Sequence, residues 1–231
     1  MEINLLEEFF NSHFRTMLLE GFFSDNPKED VEIVKHFITE QCSVDILLIR
    51  SDSGNGGSHL LVGAGNDLLK NDIKFVWPGF KSCLRHNLSK YYKDSFEKSL
   101  QDCSFCLIEY LDNIIEHPPL HPNSSPSLSW LQEILTGFIK RGGRIIFSAS
   151  KEITSKQISL YFKTDSVIEA NTSYPSLETL KLIGKKEYSD EFVEKYAKEA
   201  YSHSRCVRDF ENFLMSFNAL IQLGKPIKWK E

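Results

Sequence analysis

Apolar residues along the chain gather into five short runs, Asp45–Arg50, Ile73–Trp77, Ser104–Tyr110, Arg144–Ala149 and Ser166–Ala170, each rich in Ile, Val, Leu or Phe and separated by longer stretches of helical period. That alternation predicts a parallel sheet covered by helices on both faces. Asp30–Glu40 places Val31, Ile33, Val34, Phe37 and Ile38 on one stripe, and Leu128–Lys140 does the same with Leu131, Ile134, Leu135 and Phe138. Both read as amphipathic crossovers. After the fifth run the strand signals stop, and helical patterns follow at Ser176–Lys186, Asp190–Tyr201 and Arg205–Leu223. In the last, Val207, Phe210, Leu214, Phe217 and Ile221 recur at steps of three and four, one apolar helix face. The expected organisation is an α/β core over residues 1–170 and a small all-helical unit over 171–231. His117–Ser129, with four prolines and four serines, reads as a surface loop.

Composition narrows the class. With 231 residues and 41% apolar positions, the chain can bury the core of one large domain, or of a domain with a small appendage. The longest apolar stretches, Asp45–Ile49 and Ser104–Glu109, fall far short of the roughly 18–20 residues of a membrane span, and no basic-then-apolar leader opens the chain. A cytoplasmic protein with no membrane partner is expected. A formal charge of −5 gives no whole-molecule attraction to nucleic acid, so DNA contact needs a local patch. Five cysteines at irregular spacing include one close pair, Cys103 and Cys106, within an apolar run. No second Cys/His pair stands at zinc spacing, so reduced core thiols are expected.

The chemistry centres on the end of the first run. Strand Asp45–Arg50 leads into Ser51-Asp-Ser-Gly-Asn-Gly-Gly-Ser58-His-Leu-Leu61, and an apolar helix continues through Leu69. Strand, Gly-rich turn and helix in that order make a phosphate cradle out of backbone N–H groups and the positive end of a helix. Such turns also join strands to helices with no ligand, so the pattern alone leaves an ordinary turn open.

The stretch resembles the Gly-x-Gly-Lys-Thr-His-Leu-Leu phosphate loop of the DnaA/Hda family of AAA+ replication initiators, with Gly54, Gly56, Ser58, His59, Leu60 and Leu61 in register. Glycine 57 stands where that pattern has its phosphate-binding lysine, and Ser51 where a P-loop has its first glycine. The resemblance implies an α/β P-loop NTPase (AAA+) fold: a parallel five-stranded sheet with flanking helices, then a helical lid. It continues through Cys106-Leu-Ile-Glu-Tyr-Leu-Asp112, where Glu109 and Tyr110 replace the family's two aspartates for magnesium and water, and through Gly143–Ser150, where Ser150 replaces the acid of the first sensor. Ile158–Phe162 holds no arginine where the family carries the one that acts in trans on a neighbour's ATP. Ser204–Glu211 matches the start of the lid's last helix, with Arg208 at the second-sensor arginine, and Gly224–Ile227 resembles the segment that ends the lid. In all, the likeness spans roughly residues 25–227.

By that resemblance the nucleotide-binding residues are Gly54, Gly56, Gly57, Ser58, His59 and Arg208, and any metal would meet Ser58 and a vestigial Glu109, which is otherwise a solvated or hydrogen-bonded strand-end acid. Losing the loop lysine removes a charge-assisted hydrogen bond of about 1.5–3 kcal/mol. With each 1.4 kcal/mol worth tenfold, a micromolar site becomes roughly tens of micromolar to submillimolar. Asp52 adds a negative charge beside the phosphates. No catalysis and no resident cofactor are expected, with residual ATP or ADP and Mg²⁺ as the alternative and Gly57→Lys as a partial rescue if the loop keeps its cradle shape.

Other residues carry less specific signals. Phe80–Lys93 gathers Lys81, Arg85, His86, Lys90 and Lys93 with Tyr91 and Tyr92, which reads as a solvated helix face with the tyrosines as partial core, or as a contact for single-stranded DNA. His59 reads also as a helix-start residue packed on the sheet. Met1–Phe10 lacks the glutamine of the clamp-docking peptide that opens Hda relatives, so a short amphipathic helix is expected there and no sliding-clamp contact. With no helix-turn-helix after the lid, sequence-specific reading of duplex origin boxes is not expected. The reading is a non-hydrolysing DnaA/Hda-like protein that regulates or assists chromosomal replication initiation by binding the initiator, another AAA+ protein or DNA. Its rivals are a weak ATPase in which Lys70 or Arg208 replaces the missing lysine, and a degenerate P-loop scaffold outside replication.

Overall fold

The computed structural model describes residues 28–39, 43–78, 90–109, 129–172 and 174–225. Helix α1 (Lys28–Thr39) precedes β1 (Ile46–Ser51), α2 (Gly57–Lys70) and β2 (Phe75–Val76). Then come α3 (Lys90–Ser99) with a short 3₁₀ turn, β3 (Phe105–Ile108), α4 (Ser129–Lys140), β4 (Arg144–Ser150), α5 (Ser155–Phe162) and β5 (Val167–Thr172). Three helices follow: α6 (Leu177–Gly184), α7 (Asp190–His203) and α8 (Val207–Gln222).

The strands form one five-stranded sheet in the order β2-β3-β4-β1-β5, with every neighbouring pair parallel. Side chains alternate across a strand, so the run Ile46-Leu-Leu-Ile49 feeds two cores at once. Ile46 and Leu48 join Cys106, Ile108, Ile145 and Phe147 under α3, α4 and α5. Leu47 and Ile49 join Phe105, Leu107 and Ile146 under α1 and α2. Continuous apolar runs, rather than alternating ones, are what a sheet buried on both faces requires.

Arg144 ties α1 to the sheet from the start of β4. Its guanidinium donates to the Phe37 carbonyl at 2.6 Å and the Ile38 carbonyl at 3.3 Å, carbonyls of the last turn of α1, and lies 4.4 Å from the centre of the Phe105 ring. Helices α6, α7 and α8 pack around a separate apolar cluster that includes Leu180, Val193, Ala197, Phe210, Leu214 and Phe217. Helix α8 buries Val207, Phe210, Leu214 and Phe217 as its period predicts, while Ile221 is exposed.

Boundaries differ at both sheet edges. β2 is only Phe75–Val76, shorter than the predicted run, because Ile73 donates its N–H to Leu68 at the end of α2 and Pro78 follows closely with no N–H to give. β5 runs on to Thr172, pairing residue for residue with β1 as far as Ser51. Cys106 is buried in β3, whereas Cys103 is only half-buried; both are free thiols, and burial raises the pKa of each. Among the described residues no helix is long and apolar enough to cross a membrane. Met1–Phe10, the loop through residue 128, Tyr110, Lys81, Arg85 and His86 lie outside the described residues; Lys90 begins α3.

Candidate functional site

Ligands of open parallel sheets bind beyond the carboxyl ends of the strands, and there the ends of β1, β3 and β4 meet the start of α2. Beyond Ser51 the chain turns on Gly54 and Gly56, at φ 85° and 88°, a left-handed backbone that side chains resist. Gly56 is the N-cap of α2 and has no side chain to cap with. Ser51 supplies the missing acceptor: its hydroxyl takes the Gly57 N–H at 3.2 Å and donates to the Asp52 carbonyl at 2.8 Å. Asn55 closes the turn, its N–H on the Asp52 carbonyl at 3.0 Å, and its buried Oδ1 has no partner among the described residues.

Gly57 is itself buried against Ser51. A Cβ on Gly57 would stand 2.7 Å from the Ser51 Cβ, closer than real Cβ atoms come, and a tight 3.1 Å from its hydroxyl. Positions 51 and 57 thus share one volume, and a side chain at 57, as in Gly57→Lys, requires Ser51 to shift.

Two strand ends reach the loop. Ser58 donates its hydroxyl to Glu109 Oε1 at 2.5 Å, joining the first turn of α2 to the end of β3. From just past β4, Lys151 places its ammonium 2.5 Å from Asp52 Oδ2, with both side chains roughly half-exposed. Arg50 holds that corner, donating to the Lys151 carbonyl and, at 3.0 Å, to Glu169 Oε2 on β5. Glu169 Oε1 in turn accepts the Ser155 N–H at the start of α5, at 2.9 Å. Burial alone would raise the Glu169 pKa, but the bonds from Ser155 and Arg50 outweigh it and hold it below the usual carboxylate value.

The last helix closes the site. A Cβ on Gly54 would meet Cys206 Sγ at 2.6 Å and Arg208 Cβ at 3.3 Å, so the beginning of α8 lies directly on the loop. Arg208 also approaches His59: burial lowers the His59 pKa first, and the Arg208 charge lowers it further, which favours neutral imidazole near neutral pH.

Gly54, Gly56, Gly57, Ser58, His59, Glu109 and Arg208 are therefore gathered at one end of the sheet. Lys70 is not, because it ends the 14-residue helix that begins at the loop, about 20 Å away. Ser150 ends β4 opposite Ser51 in register. In α5, Ile158 and Phe162 serve the core while Leu160 is 71% exposed. Among the described residues no group of three or more His, Cys, Asp or Glu side chains could hold a metal ion. Sequence reasoning missed Lys151, Cys206 and the Ser51–Gly57 contact. Only the last left a readable signal, a serine at a glycine position paired with a glycine at a lysine position.

No protein-family model matches the chain, and no curated protein matches it. Among solved structures it is similar to AMPPCP-bound DnaA from Aquifex aeolicus, at 15% identity and a TM-score of 0.61, over 84% of this chain and 61% of that one. Domain III of the Thermotoga maritima replication initiation protein DnaA is similar at 18% identity and a TM-score of 0.61, over 90% and 87%. A replication initiator DnaA bound to AMPPCP and single-stranded DNA matches at 16% identity and a TM-score of 0.58, over 84% and 63%. The chain thus spans about three fifths of the first of these initiators. At such identities the likeness establishes the fold, the AAA+ P-loop NTPase fold of DnaA.

Proposed function

We propose that this DnaA-type AAA+ fold works as a non-hydrolysing binding module that regulates or assists replication initiation, taking the initiator, another AAA+ protein or DNA as its partner. The observation that carries the reading is the Ser51–Gly57 contact, which fills with a serine the space beside the position that a P-loop gives to its lysine. Removing that lysine takes away about 1.5–3 kcal/mol of charge-assisted bonding to phosphate. The absence of an arginine in Ile158–Phe162 supports the same reading, since an AAA+ neighbour would receive no cation from there.

The partner class follows from the kinds of assembly in which the fold is found. One similar initiator holds single-stranded DNA together with AMPPCP, and in this chain Lys81, Arg85 and Lys90 are the residues proposed to meet such a strand. Residues 1–170 and 171–231 are taken as the core and lid units, with the partner surface on their AAA+ faces. Capture from native cells with the full chain as bait, scored for initiator, sliding clamp and DNA, tests this. Enrichment of the initiator or of single-stranded DNA is expected, and recovery of neither overturns the replication reading.

One observation favours a weak ATPase instead. Ser58 and Glu109 remain in contact at 2.5 Å, the two groups that would face Mg²⁺. On that reading Glu109→Gln abolishes a slow, magnesium-dependent phosphate release. On the reading preferred here there is no release to abolish.

A further inference from the structure

The residues at the loop do not fit Mg²⁺·ATP, and the way they fail to fit points to what the loop does instead. We propose that the phosphate loop is filled by the chain's own groups, Ser51, the Asp52–Lys151 pair and Cys206, so that the start of α8 is seated on the core without nucleotide. This deepens the binding-module reading and takes from it only the identity of the loop.

Each group stands where a triphosphate would need something else. The first N–H of α2 is one of the donors that a helix N-terminus offers an anion, and the Ser51 hydroxyl already accepts it at 3.2 Å. Asp52 brings a carboxylate to the loop, and Lys151 answers it at 2.5 Å, so this lysine faces an anion of the protein. A polyanion arriving there must displace Asp52 against its own repulsion. Over Gly54, Cys206 Sγ and Arg208 Cβ leave no room for even a methyl group. The lid helix therefore rests on loop backbone directly.

The geometry makes a specific demand about rescue. Because the Cβ of any residue at 57 would lie 2.7 Å from Ser51 Cβ, a lysine at 57 requires glycine at 51, and the two changes must act together. Amide exchange of the full chain, with MgATP and MgADP as probes, tests the proposal. In the unmodified protein, millimolar MgATP leaves exchange across residues 51–60 and 204–210 unchanged. The double variant Ser51→Gly/Gly57→Lys gains saturable MgATP protection there, at least about tenfold tighter than Gly57→Lys alone, a gain worth about 1.4 kcal/mol. Ser51→Ala, which adds no bulk, speeds exchange of the Gly57 amide by about tenfold with no nucleotide present, whatever the double variant does. MgATP protection of the unmodified loop, single and double variants of equal affinity, or an unchanged Gly57 amide in Ser51→Ala would each overturn the proposal. None of these outcomes depends on capturing a replication partner, so failure here and failure of the replication reading are separate results.

Discussion

Glycine 57 is held by packing, not by the need for an unusual backbone, and it follows that its replacement is costly in a way that depends on one neighbour. A side chain at 57 pushes on Ser51, and inserting carbon into a filled space costs about 1–3 kcal/mol. Gly57→Lys is expected to lower the urea midpoint accordingly, with most of the loss returned in the Ser51→Gly background. Equal losses in both backgrounds would show that the shared volume is not the cause. Gly54 and Gly56 were legible in the sequence because a strand, a spacing and a helix surround them. Lys151 was not, because it lies 99 residues from Asp52 and only the parallel pairing of β1 with β4 brings the two together. Charge partners across a sheet leave no periodic trace in the chain.

At the scale of elements, helices with a strong apolar stripe were readable and their ends less so. Helix α5 was not delineated from the sequence, although Thr154 and Gln157 carry a capping box: Thr154 Oγ1 accepts the Gln157 N–H at 3.3 Å, and Gln157 Oε1 accepts the Thr154 N–H at 2.8 Å. Thr154→Ala should cost about 1 kcal/mol in chemical denaturation, and a change near zero would mean that packing of Ile158 and Phe162 holds the helix alone. The lid adds a charge device between α6 and α7. Glu194 accepts from Lys181 at 2.8 Å and lies 2.7 Å from Lys185, and these bonds, Lys181 first, lower its pKa from the ordinary 4.5 to about 2. A depressed carboxylate stabilises the folded state above its unfolded pKa, and that contribution is lost as pH falls from about 4.5 through about 2. NMR titration should place the Glu194 midpoint near 2 and return it toward 4.5 in Lys181→Met/Lys185→Met. A midpoint already at the ordinary value in the unmodified protein would refute the network.

For the whole molecule, the fold and the candidate site were legible to different depths for a physical reason. The fold is written redundantly, in five apolar runs, their intervening helices and a closing bundle, so that no single position decides whether it is readable. The site is written once, at a few positions, and a single exchange there changes its chemistry while the same core remains packed. The account therefore stands or falls on whether this AAA+ fold turns over nucleotide. The direct measurement is phosphate release by the purified full chain with MgATP, beside a no-protein control and the Glu109→Gln variant. The account predicts release equal to the control in both proteins. Magnesium-dependent release by the unmodified chain that disappears in Glu109→Gln would contradict it and make the protein an ATPase.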